Sequence, residues 1–287
     1  MTSAARPIVL MTYNIKNPDP AHDWPARLPV VLDVIRRHDP DVLCVQEAFA
    51  HQMDDLRAGL PDHADIGQGR EGGDAGEHAA VFYRRDRFRP SDEGSFWLSD
   101  TPDEPVSNTW GSLYPRIANH ARFLDAEGPA FTLLTTHLDH EPGPHGDEVR
   151  GRSAALIAER LAGTTGPVVF AGDCNEPAGT GTASRVFAEA GFEDAWLAAG
   201  DPSDRTATFN DWQPPVDSAE RDRLGAHPGH QRRGPRGDRP RRPRDLVRQR
   251  PLPGDHDPAG LNRFSSCALL AVSSCAARGR ASVNRAP

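Results

Sequence analysis

Several things are missing from this chain, and each absence narrows the field. No apolar run approaches the ~18 residues that a membrane-spanning helix requires. The four cysteines form neither a disulfide framework nor a zinc spacing: Cys44 lies in an apolar run, Cys174 inside a polar motif, and Cys267 and Cys275 in the tail. Met1 to Arg6 pass directly into Ile8-Val9-Leu10, with no basic segment leading to a long apolar core and a small-residue cleavage site, so the expected location is the cytoplasm. Cations are scarce in the body of the chain. Residues 1–218 carry 18 Lys+Arg against 35 Asp+Glu, a net −17, whereas residues 219–287 carry 15 against 6, a net +9. So acidic a body repels polyanions, which disfavours a long nucleic acid as its partner.

What is present reads as one large α/β domain: 287 residues, 37% hydrophobic, with both signs of charge. Ile8 to Ile15 is short and apolar with a polar residue near its end, the pattern of a buried strand. Trp24 to His38 is expected to be helical. Asp23 can cap it, Pro25 fits the first turn, and Leu28, Leu32 and Ile35 share a face, while Pro29 must lie near enough to the start to be tolerated. Further strands are expected at Val42 to Gln46, Ala79 to Arg84, Phe96 to Leu98, Ile117 to Phe123, Phe131 to Thr136 and Pro167 to Phe170, and helices at Asp147 to Leu161 and Ala183 to Ala190. Helices separate only some of the strands. That implies mixed sheets packed as a sandwich with outer helices, not a regular βαβ repeat.

Four apolar strands end in chemically capable residues: Tyr13-Asn14-Ile15, Gln46-Glu47, Thr136-His137-Leu138-Asp139-His140 and Gly172-Asp173-Cys174-Asn175. Taken singly, each has an ordinary explanation as a turn former, a surface carboxylate or a satisfied core histidine. Their repetition at strand ends is the signal, because strand ends on one rim of a sheet converge in space. In this chain order the four clusters resemble the signature of the endonuclease/exonuclease/phosphatase superfamily, a resemblance that runs to about residue 218.

The resemblance implies an α+β fold, a four-layer α/β sandwich of two mixed β-sheets packed face to face and flanked by helices. It also implies a phosphoesterase that depends on Mg²⁺ or Mn²⁺. A hard cation takes oxygen ligands and keeps several waters, so one firm carboxylate with neutral polar neighbours is sufficient. By resemblance Glu47 is the metal ligand and Asn14 assists at metal and phosphate. His137 contacts a phosphoryl oxygen, Asp173 orients or deprotonates the attacking water, and Asn175 donates to the phosphoryl group. Arg116, after Tyr114-Pro115, is a candidate for gripping a substrate phosphate, and His140 a candidate supporting residue. Trp110 can line the pocket, stack on a base or pack. The expected substrate is a phosphorylated small molecule or a nucleic acid, with the acidic body favouring the former, and the expected state is a monomer.

At about residue 219 the pattern breaks. Ala219 to Pro251 holds 11 arginines in 33 residues, with much Gly and Pro, and neither strand nor helix can be written there. The family continues with an Arg-Ile-Asp-aromatic strand, where this chain has Arg221-Asp222-Arg223-Leu224-Gly225. Asp-Arg-Leu-Gly can be encoded so that reading one base later gives Ile-Asp-Trp-Val, which raises the hypothesis of a reading-frame slip after Arg221. Pro253-Gly254-Asp255-His256-Asp257-Pro258 then resembles the family's closing Ser-Asp-His-x-Pro segment, making Asp255 and His256 candidate catalytic residues. The expected organisation is therefore a domain at 1–218, an Arg/Pro/Gly-rich stretch at 219–251 and a remnant motif with an irregular tail at 252–287. Loss of the closing strands would leave an unpaired sheet edge. Two other readings remain open: a catalytically impaired product of a disrupted gene, and a nucleic-acid-binding protein with a basic disordered arm.

Overall fold

A computed structural model describes residues 6–177, 179–195 and 267–271. The stretch at 219–251 and the Asp255-His256 candidates lie outside the described residues.

The first strand, β1 (Leu10–Asn14), leads to helix α1 (Trp24–His38), whose bounds match the sequence expectation. The Asp23 carboxylate accepts from the Ala26 N–H at 3.3 Å. Pro29 lies in the second turn, where it forfeits only the bond to the carbonyl of Pro25. Next come β2 (Val42–Ala48), α2 (Ala50–Gly59), β3 (His63–Ile66) and β4 (His78–Arg84). The chain continues through β5 (Phe88–Trp97), β6 (Ile117–Asp125), β7 (Phe131–His137), α3 (Pro144–Leu161), β8 (Val168–Asp173), α4 (Thr182–Glu189), β9 (Glu193–Asp194) and β10 (Cys267–Ala271).

Helix α2 escapes the sequence pattern because only Gln52, Met53 and Leu56 along it are buried. The Gln52 side-chain oxygen accepts from the Phe49 N–H at 3.0 Å and closes its first turn. Strand β10 falls in the tail that the sequence pattern leaves irregular. It pairs antiparallel with both β8 and β9, so β8 is not a sheet edge.

The strands form two mixed sheets, one of four in the order β1-β2-β4-β3 and one of six in the order β5-β6-β7-β8-β10-β9. Alternation along the strands sorts the apolar residues into three layers. Val42, Cys44 and Val81 meet Phe123, Leu133 and Ala171 between the sheets. Leu43, Val45 and Phe82 point the other way, to Val31, Ile35, Met53 and Leu56 of α1 and α2. Leu134 and Phe170 pack under Val149, Ile157 and Phe187 of α3 and α4. The result is the expected α/β/β/α sandwich. Because both faces of each sheet are covered, the central strands β2 and β8 are buried at every position rather than alternating. Among the described residues no helix is long and apolar enough to cross a membrane.

Candidate active site

Parallel pairing brings the signal residues to one rim. β1 lies parallel to β2 with Asn14 opposite Gln46, and β7 lies parallel to β8 with His137 opposite Asp173. The carboxyl ends of two neighbouring pairs, one in each sheet, therefore open on the same side. Gly172 permits the second pairing, since a Cβ there would lie 2.2 Å from the Thr136 carbonyl oxygen. Gln46 is fully buried and spans the sheets, donating to Thr12 Oγ1 at 3.2 Å and reaching Thr135 Oγ1 at 3.5 Å.

Between Val45 and Ala48 the register of β2 against β4 shifts, and Glu47 takes a φ of 62°. A bulge re-aims side chains, and a left-handed non-glycine residue stores strain of about 1–3 kcal/mol that the surroundings must hold. Lys16 and Asn175, at φ 62° and 50°, are held in the same region of backbone space around this site.

The Asn14 side chain ties the two carboxylates together, its Nδ2 lying 2.8 Å from Glu47 Oε1 and 3.0 Å from Asp173 Oδ2. Its Oδ1 accepts from the Lys16 N–H at 2.9 Å, so its donor face is turned to the carboxylates. Glu47 Oε2 accepts from the Asn17 N–H at 3.0 Å and meets the Lys16 ammonium at 3.2 Å. Lys16 is the only lysine in the chain. Arg27 of α1 holds this β1–α1 loop from behind by donating to the carbonyls of Ile15, Lys16 and Asn17. Burial alone would raise the Glu47 pKa, but His137, Lys16, the Asn14 amide and the Asn17 N–H outweigh it and hold the group at about 2. His137 is pushed well below its ordinary value, by burial first and then by the Arg116 guanidinium, so its ring is neutral near pH 7. At that pH it is Lys16 and the hydrogen bonds that keep Glu47 ionised.

On the far side of Asp173, His137 Nε2 lies 2.7 Å from Asn175 Nδ2 and 3.9 Å from Asp173 Oδ2. A ring nitrogen that accepts from an amide leaves the proton on Nδ1. That atom is buried without a hydrogen-bond partner among the described residues, 3.9 Å from Glu77 Oε2. Arg116 is 4% exposed and gives NH2 to His140 Nδ1 at 2.7 Å. His140 is at the surface, stacked on Tyr114 with ring centroids 6.1 Å apart. Cys174, fully buried, is an apolar spacer in the α3–α4 layer. Trp110 belongs to the same layer, donating from Nε1 to Asp100 Oδ1 at 2.8 Å beneath the Arg152 guanidinium.

The fold thus gathers Asn14, Glu47, His137, Asp173 and Asn175, with Arg116 and His140 beside them. It adds two residues the sequence pattern overlooks: Glu77, and Arg70, which donates from NH1 to Glu77 Oε2 at 2.8 Å. The overlooked pair comes from the opposite polarity. β4 runs antiparallel to β2, so the amino end of β4, not its carboxyl end, reaches this rim. Polar residues preceding an apolar strand were the signal to look for.

The donor set suits a hard cation. Glu47 offers a buried oxygen held ionised, and the Lys16 ammonium against it shows that a positive charge is accommodated there. Among the described residues no three or more His, Cys, Asp or Glu side chains form a closed cage. A cation at Glu47 would therefore retain most of its waters, as Mg²⁺ tends to.

Comparison with known proteins bears on the family and the fold. The sequence profile of the Endonuclease/Exonuclease/phosphatase family matches residues 11–247. The crystal structure of a family member from Bacteroides thetaiotaomicron superposes with a TM-score of 0.61 at 33% identity, covering 68% of this chain and 72% of that one. A mannosyl-6-phosphatase from the same organism superposes equally well at 33% identity, with coverages of 67% and 74%. The human Nocturnin catalytic domain, with a bound sulfate, shares the fold at 20% identity and a TM-score of 0.56, covering 69% of this chain and 76% of that one. Nocturnin of Drosophila melanogaster is 24% identical over 173 residues, which are 56% of this chain but only 25% of that protein. On the strength of the profile match and of this shared architecture, the chain belongs to the endonuclease/exonuclease/phosphatase family, a family of phosphoesterases.

Proposed function

We propose that this chain is a Mg²⁺- or Mn²⁺-dependent hydrolase of a small phosphoester. One observation carries the reading: a single amide, Asn14, bridges the ionised Glu47 and the buried Asp173, with the His137–Asn175 pair beside them. Glu47 would hold the metal, and the bound ion would supply charge neutralisation at a phosphoryl oxygen. Asn14 fixes the spacing of the two carboxylates. Asp173, 1% exposed, orients or deprotonates the attacking water. His137 and Asn175 meet phosphoryl oxygens as charge accumulates, a task of positioning more than of covalent chemistry. Arg116 grips the substrate phosphate, with His140 holding its outer nitrogen. Asp255 and His256 complete the set as the closing Asp–His pair.

Two facts support a small substrate over a nucleic acid. Residues 1–218 carry a net charge of −17, and a 33% identical neighbour is a mannosyl-6-phosphatase. Turnover of chromogenic phosphate mono- and diesters with Mg²⁺ or Mn²⁺, compared with chelator, tests the reading. The metal is expected to give a rate that chelator abolishes and that a Glu47→Ala, Asp173→Ala double variant lacks. Equal rates for wild type and double variant would overturn it.

A further inference from the structure

We propose that Arg70 and Arg116 form an oxyanion subsite that selects phosphomonoesters over phosphodiesters, an inference that rests on the phosphoesterase reading above. Beside His137 lies a small cavity of about 10 Å³, lined by Arg70, Glu77, Arg116 and His137. The residues that line it carry polar atoms with none to pair with: Arg116 Nε and NH1, Arg70 Nε and His137 Nδ1 are all buried without a hydrogen-bond partner among the described residues. A buried donor left unmade is costly, and a buried guanidinium without an anion more so, so this cluster is built for an occupant. Among the residues that line the cavity two guanidiniums stand against one carboxylate, Glu77, with Asp139 and Glu47 acting on Arg116 from outside it.

The size of the space says what that occupant is. About 10 Å³ is room for about one water-sized atom, so it takes a single oxygen and not a second phosphate. His137 is shared between this cavity and the Asp173–Asn175 side, which makes the entering oxygen one that belongs to the reacting phosphoryl group. A monoester at neutral pH carries a charge of about −2 and an extra terminal oxygen, whereas a diester carries about −1 and has a carbon substituent in that place. Arg70 is the discriminating residue. Tyr114 backs its guanidinium at 4.1 Å from the ring centroid, and Glu77 fixes its NH1, so the cation is locked toward the cavity instead of free to follow a substrate.

The test is binding first and turnover second. The full chain, with Mg²⁺, is titrated calorimetrically with inorganic phosphate and with dimethyl phosphate at about pH 8, above the second phosphate ionisation near 6. Wild type should prefer phosphate. Arg70→Gln, which can still donate to Glu77, should cut the phosphate-to-dimethyl phosphate affinity ratio by about 10- to 100-fold, the range of one charge-assisted hydrogen bond. Arg70→Lys, which keeps the charge but not the planar fork, should fall between the two and serves if the Gln variant folds poorly. The ratio of monoester to diester kcat/KM should fall in parallel. A phosphate preference that persists in both variants, or no phosphate preference in wild type, overturns the subsite. Arg70-dependent phosphate binding with no turnover of either ester would instead leave the subsite standing and sink the phosphoesterase reading.

Discussion

At the scale of single residues, the site is organised around a carboxylate that burial should neutralise and its neighbours do not allow to. Glu47 is 8% exposed, and its pKa falls from an ordinary 4.5 to about 2. A depressed carboxyl pKa contributes stability that is present above the unfolded value and lost as pH falls toward the folded one. The window here runs from about pH 4.5 down to about pH 2. Glu47→Gln removes that dependence. The difference in unfolding free energy between wild type and Glu47→Gln should therefore shrink as pH is lowered from about 6 to about 3, by an amount on the order of 2 kcal/mol. Urea titrations at stepped pH measure it, and a difference that stays flat or widens would show that Glu47 is not held ionised in the fold. Residue-scale chemistry was largely legible in the sequence: Asn14, Glu47, His137, Asp173 and Asn175 end apolar strands and do meet. Arg70 and Glu77 were not legible, because they lie in the loop that enters β4, which runs antiparallel to β2, and nothing in one sequence reports strand direction.

Elements rather than residues decide whether those five groups are in register. β7 and β8 approach so closely at Thr136 and Gly172 that only glycine fits, and the same pairing sets His137 opposite Asp173. Gly172→Ala should cost about 1–3 kcal/mol of stability through overpacking against a backbone oxygen that cannot move aside. Its effect on turnover should be larger than its effect on stability, because separating β7 from β8 displaces His137 and Asp173 together. Thermal melts alongside kcat measurements at a temperature where the variant is folded would check this, and unchanged kcat in the folded variant would contradict it. Strands β2, β4, β6, β7 and β8 and helix α1 were readable from apolar runs, caps and prolines, whereas the ten-residue β5 was readable only at its end, as Phe96 to Leu98. Helix α2 was not, since its buried face is too narrow to print a period, and β10 became a strand only by finding a place between β8 and β9.

For the molecule as a whole, the two sheets are joined at the rim opposite the site by a buried ionic knot. Arg87 donates in a fork to Asp125 at the end of β6, at 2.9 and 3.0 Å, and meets Asp41 at the start of β2 at 3.1 Å, all three side chains being almost fully enclosed. Removing one partner strands the others, so Arg87→Met should cost about 3–5 kcal/mol and lower the melting temperature by roughly 10 °C. KM and kcat should be unchanged, because the knot is at the far end of the strands. A melting temperature within about 2 °C of wild type would refute the coupling. Apolar runs long enough for strands, polar residues at their ends and the chain order of those residues were determined by the sequence itself, and they sufficed for the fold class and half of the site. Only the tertiary structure decided which ends share a rim, that the loop entering an antiparallel strand brings Glu77 and Arg70 to it, and that residues with four unpartnered donors line a space of about one oxygen. The physical reason is that strand direction, sheet order and the volume left between side chains arise from packing across long sequence separations, and local pattern carries no record of them.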